Sequence, residues 1–341
     1  MASITAHFFH WPSFREYQQN LLQVIALPIG ARGNLYYRAK WVNKTFVDQI
    51  ENIKTDNRID AIFWVLSCKQ TKKDGKVLTS FDFTCPIRSL DILSVDKKND
   101  YYHISFVAKE FLPNFRRISV LTALKKFTKI DFGSSNVPNP GVEGGYVYVG
   151  PKISSLQTTQ TPSLEKLYGI LEDIPCSIQY EEGITIREYP IVTLSPIQGT
   201  KVHESGLYEL LLDREYDLAL SYYQGDQYRN RSVYVNRSRG IGKTAIVRSP
   251  IVALRKSMDT ISVEVECDSL RFSILLGVNV KVPWYRWKWL ALIFLAFISI
   301  VIFLLFICFF PDSDTKIQAA IVSPLVVLLL SKIWEVLTKK D

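Results

Sequence analysis

The stretch that decides the fold is Trp289-Leu-Ala-Leu-Ile-Phe-Leu-Ala-Phe-Ile-Ser-Ile-Val-Ile-Phe-Leu-Leu-Phe-Ile-Cys-Phe-Phe310, near the end of the chain. Its 22 residues, 289–310, carry no charge, and Ser299 is the only hydroxyl among them. At about 1.5 Å rise per residue, a helix of this length reaches roughly 33 Å and crosses a hydrocarbon core of about 30 Å. The run therefore predicts a membrane-spanning helix.

The borders of this run support the prediction. Aromatic and basic side chains alternate before it, and a further Lys and Trp follow the next apolar stretch. Trp, Tyr, Lys and Arg are typical of the headgroup layers on the two sides of a bilayer. The expected membrane-interface residues are Trp284, Arg286, Trp287, Lys288, Trp289, Lys332 and Trp334.

A second apolar stretch, 317–330, is a weaker candidate because it is short and contains Pro324. It reaches the length of a span only when it is extended past Lys332 to Leu337. Either it is a second span, which makes a two-helix hairpin, or it is a re-entrant or interfacial helix. If the stretch is a second span, two interpretations of the hairpin are open. It is a passive anchor, or its second helix lines a pore formed by several copies of the chain. The candidate pore-lining residues are Gln318, Ser323 and Ser331.

The positive charges predict the orientation of the hairpin. Lys and Arg precede the first run and follow the second, whereas the connecting turn, 311–316, holds one Lys beside Asp312 and Asp314. Both chain ends should therefore face the cytoplasm. The opening residues lack the basic and apolar regions of a secretory signal, and the five cysteines show no paired spacing. We expect a multi-pass protein of the inner (cell) membrane whose N-terminal domains and C-terminus are cytoplasmic.

The residues before the hairpin are predicted to be mainly β. We expect a mostly β domain at 1–130, either barrel-like or an antiparallel sheet, and a Gly-, Ser- and Pro-rich linker at 131–162. A β-sandwich-like domain should follow at 163–280, and the transmembrane hairpin with its cytoplasmic tail at 281–341. In the first domain, Asp74-Gly75 predicts a hairpin turn and 45–53 a short helix. The strands expected there are 21–27, 35–42, 60–68 and 101–108.

The second domain has the cleanest alternation of apolar and polar residues, at 216–222 and 261–267, which predicts strands with one wet face. Pro250 is expected to end the strand that begins at Thr244. Helices are expected at 118–130, where a basic face opposes an apolar one, and from Thr161-Pro162 to about 173, with Thr161 as the N-cap. Further predicted strands are 176–180, 184–189, 191–194, 244–247 and 270–280.

The charge pattern points to an anionic partner. The net charge is +8, and six basic residues fall within 229–248, a stretch without Asp or Glu. Three interpretations are open: a solvated loop, a site for anionic lipid, and a site for nucleic acid. Closeness to the predicted membrane segment favours lipid over nucleic acid. The six residues are Arg229, Arg231, Arg237, Arg239, Lys243 and Arg248.

Nothing in the sequence points to an enzyme. The stretch 236–244 ends in Gly-Lys-Thr, as phosphate-binding loops do, but Arg237 stands where such a loop has Gly, and a strand follows instead of a long helix. His7 and His10 lack a nearby Cys or carboxylate that would complete a metal site. We expect no catalytic residues, no metal and no cofactor.

The order of cytoplasmic β domains and a membrane tail, Trp284 to Leu337, resembles the two-transmembrane effector subunits of prokaryotic abortive-infection (anti-phage) systems. This group includes the subunits that accompany short Argonautes and retrons. The resemblance lies in the architecture, and it implies an effector that perturbs the inner membrane when a protein partner releases or activates it. The alternative is a membrane-tethered scaffold or receptor subunit that binds anionic lipid or nucleic acid through the basic residues. Membrane lipids and a protein partner are expected, as is a homo-oligomer in the membrane.

Overall fold

The computed structural model describes residues 4–10, 15–39, 42, 44–51, 58–73, 76–112, 145–151, 163–172, 188–283, 297 and 301. The chain divides into two compact units, Met1–Lys281 and Val282–Asp341. We call the first the β unit. Of the second unit only 282–283, 297 and 301 are described, so the predicted hairpin lies outside the described residues. Within the described part of the chain, no helix combines the length and the apolar character that crossing a membrane requires.

The β unit is mainly β, as predicted. Its elements are β1 (Ile4–His10), α1 (Arg15–Ala26), β2 (Arg32–Arg38), α2 (Lys44–Glu51), β3 (Ile59–Lys73), β4 (Lys76–Lys98), β5 (Tyr101–Phe111), β6 (Gly145–Pro151), α3 (Leu164–Glu172), β7 (Ile191–Leu194), β8 (Tyr208–Leu211), β9 (Glu215–Tyr223), a 3-10 turn (Asp226–Tyr228), β10 (Ser232–Val235), β11 (Ser238–Ile241), β12 (Thr244–Val252), β13 (Thr260–Cys267) and β14 (Leu270–Lys281).

The first part of the chain forms a six-stranded sheet in the order β2-β5-β4-β3-β1-β6. Its neighbouring strands are antiparallel except for β1 and β3, which run parallel. The register of β3 and β4 pairs Lys73 with Lys76, so the two strands form the hairpin that was predicted here, while Asp74-Gly75 lie outside the described residues. An isolated bridge joins Val42, beyond the edge strand β2, to Val147 of the other edge strand β6. The chain therefore connects the two edges of this sheet at one point.

The later strands form a five-stranded sheet, β11-β10-β13-β14-β8, and a three-stranded sheet, β12-β9-β7. Burial alternates along β13 and β9, as the sequence predicts, so each strand has one buried face. The buried faces meet at Gly240 of β11, where an added Cβ would lie 2.5 Å from Val247 and 2.6 Å from Tyr222 of the three-stranded sheet. This close approach requires glycine. The strand end predicted at Pro250 is wrong, because edge strand β12 runs through it to Val252.

Helix α1 corrects the strand that was predicted at 21–27. When residues 21–26 are considered alone, the apolar run Leu-Leu-Gln-Val-Ile-Ala is typical of a strand. The longer sequence from Arg15 has apolar residues at 21, 22, 24 and 25, which lie on one side of a helix and are all buried. Polar amides occupy positions 18, 19, 20 and 23 of the same helix. Six residues are too few to show the helical period, which becomes visible only over the full length of α1.

The amides of α1 bind the backbones of two strands. Asn20 donates from Nδ2 to the carbonyl oxygen of Tyr36 (2.8 Å) and accepts at Oδ1 from the N–H of Tyr36 (3.2 Å). Gln23 forms the same pair of bonds with Leu275, at 3.4 Å and 3.5 Å. Gln19 does so with Ser273, donating to its carbonyl oxygen and accepting from its N–H. Tyr36 lies on β2 and the other two partners on β14, so α1 joins the six-stranded sheet to the five-stranded one.

A buried arginine holds the C-terminal end of α1. Arg88 of β4 is fully buried and donates from Nη1 to the carbonyl oxygens of Val24 (2.6 Å) and Leu27 (2.7 Å). Its Nε donates to the carbonyl oxygen of Lys109 (2.7 Å), and its guanidinium lies 4.3 Å from the Phe111 ring centroid. Burial lowers the pKa of Arg88 below its ordinary value. The cation satisfies helix carbonyls that would otherwise lack donors.

Most other predicted elements of the β unit are confirmed with shifted bounds. The strands expected at 35–42, 60–68, 101–108, 191–194, 216–222, 244–247, 261–267 and 270–280 are present, as is the helix at 45–53. Helix α3 is also present, but Ser163, not Thr161, caps it, since its Oγ accepts from the N–H of Lys166 (3.2 Å). The range predicted as a linker contains strand β6, which pairs with β1.

Several predictions fall on residues that the structure does not describe. These are the helix at 118–130, the strand at 176–180, residues 184–187 of the strand predicted at 184–189, and most of the linker range 131–162. The last two residues of the predicted strand, Glu188 and Tyr189, are described and do not belong to a strand. The division of the first 280 residues into two domains stays a prediction.

We predict that Asn20→Leu, a substitution of similar size, lowers the free energy of unfolding by about 2 kcal/mol, because it leaves two partly buried backbone groups of Tyr36 without partners. Urea unfolding of the full-length chain in detergent, followed by near-UV circular dichroism, measures the change. Asn230→Leu, at an exposed turn position, is the matched control and should stay within about 0.5 kcal/mol of the unmodified protein. Equal effects of the two substitutions would contradict the role given to Asn20.

Candidate functional site

Strand β14 gives the β unit two distinct ends. Its twelve residues extend over about 36 Å at roughly 3.3 Å per residue. It begins beside the turn at Asp268 that joins it to β13, and we call this the turn end. It finishes at Lys281, from which the chain continues toward Trp284, and we call this the exit end. The predicted basic residues can be placed against these two ends.

Arg231 lies at the turn end. Its Nε is 2.7 Å from Oδ2 of Asp268, and its guanidinium carbon is 4.0 Å from the Tyr228 ring centroid. Gln224 fixes the surrounding loop, because its Nε2 donates to the carbonyl oxygens of Arg231 and Gly242, each at 2.8 Å. The neighbouring Arg229 is exposed.

Lys243 follows Gly242 and lies in an acidic and aromatic corner. Its Nζ is 3.0 Å from Asp226, 3.9 Å from Glu165 of α3 and 5.2 Å from the Tyr223 ring centroid. The hydrogen bond to Asp226 is the largest cause that raises the pKa of Lys243, followed by the hydrogen bond to Tyr223. Tyr168 of α3 packs edge-on against Tyr223, with the ring centroids 5.2 Å apart, and burial raises its pKa. This lysine is held by carboxylates that lie outside the basic stretch.

The other three residues lie elsewhere. Arg237 occupies the two-residue turn between β10 and β11, level with Ser273 of β14. Arg239 of β11 lies 5.9 Å from the Tyr234 ring centroid and donates to the hydroxyl of Ser232 from Nε (3.0 Å) and Nη2 (2.7 Å). Arg248 belongs to the other sheet and pairs with Asp217 at 3.0 Å.

The six basic residues are divided between two sheets and the turns beside them. Three of the six residues are ion-paired, because the fold brings them carboxylates from α3, β9 and two turns that the stretch 229–248 does not contain. In the described part of the chain, Arg229, Arg237 and Arg239 have no carboxylate at ion-pair distance. Arg231 lies at the end of β14 opposite to Lys281. Whether these residues bind lipid or nucleic acid stays a prediction.

The exit end brings three strand ends together. The N–H of Leu212, after β8, donates to the carbonyl oxygen of Lys281 (2.9 Å). Leu212 also forms a parallel bridge with Ala253, after β12, whose carbonyl oxygen accepts from the N–H of Asp213 (2.9 Å). The loops 212–214 and 253–259 therefore meet beside the last residue of β14.

A carboxylate holds the end of β14 itself. Glu209 of β8 accepts from Nζ of Lys281 and from Nε2 of His203. Its pKa is lowered, chiefly by the hydrogen bond from Lys281 and further by the one from His203. The ion pairs reinforce the parallel pairing of β8 with 278–281.

The exit end carries exposed side chains that the sequence reasoning missed. Leu254 is 69% exposed, although it directly follows the buried Ala253. Arg255 and Lys256 beside it are exposed, as is Arg214 in the neighbouring loop. One signal was available: an apolar residue and two basic ones stand together in a turn between two predicted strands.

The two histidines of β1 contact aromatic side chains. His7 and His10 lie three residues apart in β1, so their side chains lie on opposite faces of the sheet. Trp64 donates from Nε1 to Nδ1 of His7 (3.2 Å), and the His10 ring lies 5.2 Å from that of Phe63. Among the described residues, no group of three or more potential ligands is placed to hold a metal ion.

The predicted membrane-interface and pore-lining residues belong to the C-terminal part of the chain. All of them lie outside the described part of the chain: Trp284, Arg286, Trp287, Lys288, Trp289, Lys332, Trp334, Gln318, Ser323 and Ser331. Comparisons with known proteins find no matching protein family, no matching curated protein and no matching solved structure.

We predict that the salt dependence of DNA binding separates the paired from the unpaired basic residues. Six phosphate contacts would give a slope of log K against log salt of about −5 and three contacts about −3. We expect a slope no steeper than the second value for the full-length chain and a duplex oligonucleotide. Replacing Arg229, Arg237 and Arg239 with Gln should remove most of that slope.

The matched control replaces the ion-paired Arg231, Lys243 and Arg248 with Gln and should change the slope much less. A slope that falls equally in both triple variants would show that the six residues act as one surface.

Proposed function

We propose that this protein is a membrane-anchored effector. In this proposal the β unit receives a signal from a protein partner, and the C-terminal hairpin then perturbs the inner membrane. The observation that carries the proposal is the uncharged run 289–310, which follows the end of β14 after only a short aromatic and basic segment. The architectural resemblance to effectors of prokaryotic anti-phage defence supports the same conclusion.

Exposed apolar side chains on the β unit support a protein partner. Tyr234, Ile241 and Ile246 of β10, β11 and β12 are 38%, 62% and 68% exposed. Arg239 stands across the strand pair from Tyr234. Aromatic, aliphatic and arginine side chains of this kind are frequent at the centres of protein interfaces. Both the β unit and the C-terminus would be cytoplasmic, where such a partner is accessible.

Substitution of the polar residues in the second apolar stretch distinguishes an oligomeric pore from a passive membrane anchor. Gln318, Ser323 and Ser331 are the residues that would face water in an oligomeric pore. Replacing them with Leu, Ala and Ala keeps the apolar length and removes the polar atoms. The anchor is preserved while the pore is not.

We predict that induced expression of the full-length chain without its partner depolarises the inner membrane and stops growth. Deleting 282–341 should abolish both effects, and the Gln318→Leu, Ser323→Ala, Ser331→Ala variant should retain membrane association but lose depolarisation. A potential-sensitive dye and growth curves measure these outcomes. The effector proposal fails if the full-length and truncated chains give the same membrane potential and growth.

A second candidate is a membrane-tethered scaffold or receptor subunit, with lipid or nucleic acid bound through the basic residues. The observation that favours it is that α1 binds strands of both sheets. A β unit held together in this way offers partners a binding surface of fixed geometry. An unrelated two-span hairpin in place of 282–341 should preserve the function of a scaffold, whereas it should abolish that of an effector.

A further inference from the structure

We propose that the exit end of the β unit docks on the headgroup layer of the membrane, with Leu254 inserted at the boundary of the acyl chains. Arg214, Arg255 and Lys256 are the side chains that contact anionic headgroups. We call these four residues the docking surface. The inference rests on the proposed membrane anchoring and adds a second, separate contact with the same bilayer.

The fold presents this surface in a fixed way. The bridge from Ala253 to Leu212 and the bond from Leu212 to Lys281 attach both loops to the last residue of β14. Within the second loop, the N–H of Met258 donates to the carbonyl oxygen of Arg255 (3.2 Å), which closes a turn. A buried Ala253 (0% exposed) therefore immediately precedes an exposed Leu254 (69% exposed) on a backbone that is tied down.

The side chains suit an interface between water and lipid. Leucine favours the acyl boundary, whereas the long stems of Arg and Lys let their charges stay among headgroups while the stems contact apolar chains. The same end also carries the exposed carboxylates of Asp213, Glu215 and Asp259, while Glu209 is paired with Lys281. The positive field there is weak, so we expect docking to depend on Leu254 as much as on charge.

The short connection from Lys281 to the predicted membrane segment indicates that the docking surface contacts the bilayer. Lys281 lies three residues before Trp284, the first predicted interface residue, and three residues span at most about 11 Å. The run 289–310 would place the bilayer within reach of this end of the β unit, whereas the turn end lies the length of β14 away. The bilayer surface is therefore the partner that this end meets at the highest effective concentration.

The test uses the full-length chain in proteoliposomes of phosphatidylcholine alone or with added phosphatidylglycerol. Hydrogen exchange measured by mass spectrometry follows the segments 212–215 and 253–259. We expect exchange in both segments to be several-fold slower in liposomes than in detergent, with further slowing when phosphatidylglycerol is present. Leu254→Ser should remove most of this protection, and Arg214→Glu with Arg255→Glu and Lys256→Glu should remove the part that depends on phosphatidylglycerol.

The matched control carries Lys97→Glu, Lys98→Glu and Arg271→Glu, the same change of charge at exposed residues at the end of β4 and at the turn end of β14, and should keep the protection. Alkaline carbonate extraction of the same liposomes reports separately on the anchor. A chain that carbonate removes contradicts the membrane anchoring and the docking together. A chain that resists carbonate but shows no protection overturns the docking alone, as does protection in detergent that rises with protein concentration, which would indicate a second copy.

Discussion

Three side-chain amides of helix α1 bind backbone groups that neighbouring strands would otherwise bind. A carboxamide offers one donor and one acceptor at the spacing of a peptide group, so Asn20, Gln19 and Gln23 each bind both the N–H and the C=O of a single strand residue. Buried backbone groups without partners are costly, and both the outer edge of β2 and the part of β14 that precedes its pairing with β8 would leave such groups in the interior of the β unit. The helix closes both edges at once.

The position of α1 has consequences for the rest of the unit. Arg88 fixes its C-terminal end from β4, and the apolar face of the helix is buried, so the helix cannot shift without disturbing the six-stranded sheet. Through Ser273 and Leu275 the same helix fixes the middle of β14. The position of β14 in turn determines which loops and side chains lie at its two ends. The turn end holds the ion pair of Arg231, and the exit end gathers the loops beside Lys281.

The sequence predicted well whatever depends on local pattern. Alternation predicted β9 and β13, and Asp74-Gly75 predicted the pairing of β3 with β4 in a hairpin, because these signals are contained within a few residues. It failed at α1, where buried amides interrupt the apolar stripe for the sake of contacts with strands far along the chain. The ion pairs of the basic stretch could not be predicted from the sequence for the same reason. Its charges were counted along the sequence, whereas Asp268, Asp226 and Asp217 reach them only through the fold. Leu254 was overlooked because its exposure depends on a bridge between two distant loops.

Hydrogen exchange of the full-length chain in detergent, with Gln19→Met and Gln23→Met introduced together, tests most directly whether α1 makes one unit of the two sheets. The substitutions remove only contacts with β14. If α1 couples the sheets, exchange should accelerate at 270–277 and also at 34–38 of β2, which neither substituted side chain bonds. Faster exchange confined to 270–277, with β2 unchanged, would show that the two sheets are stabilised independently and would contradict the account.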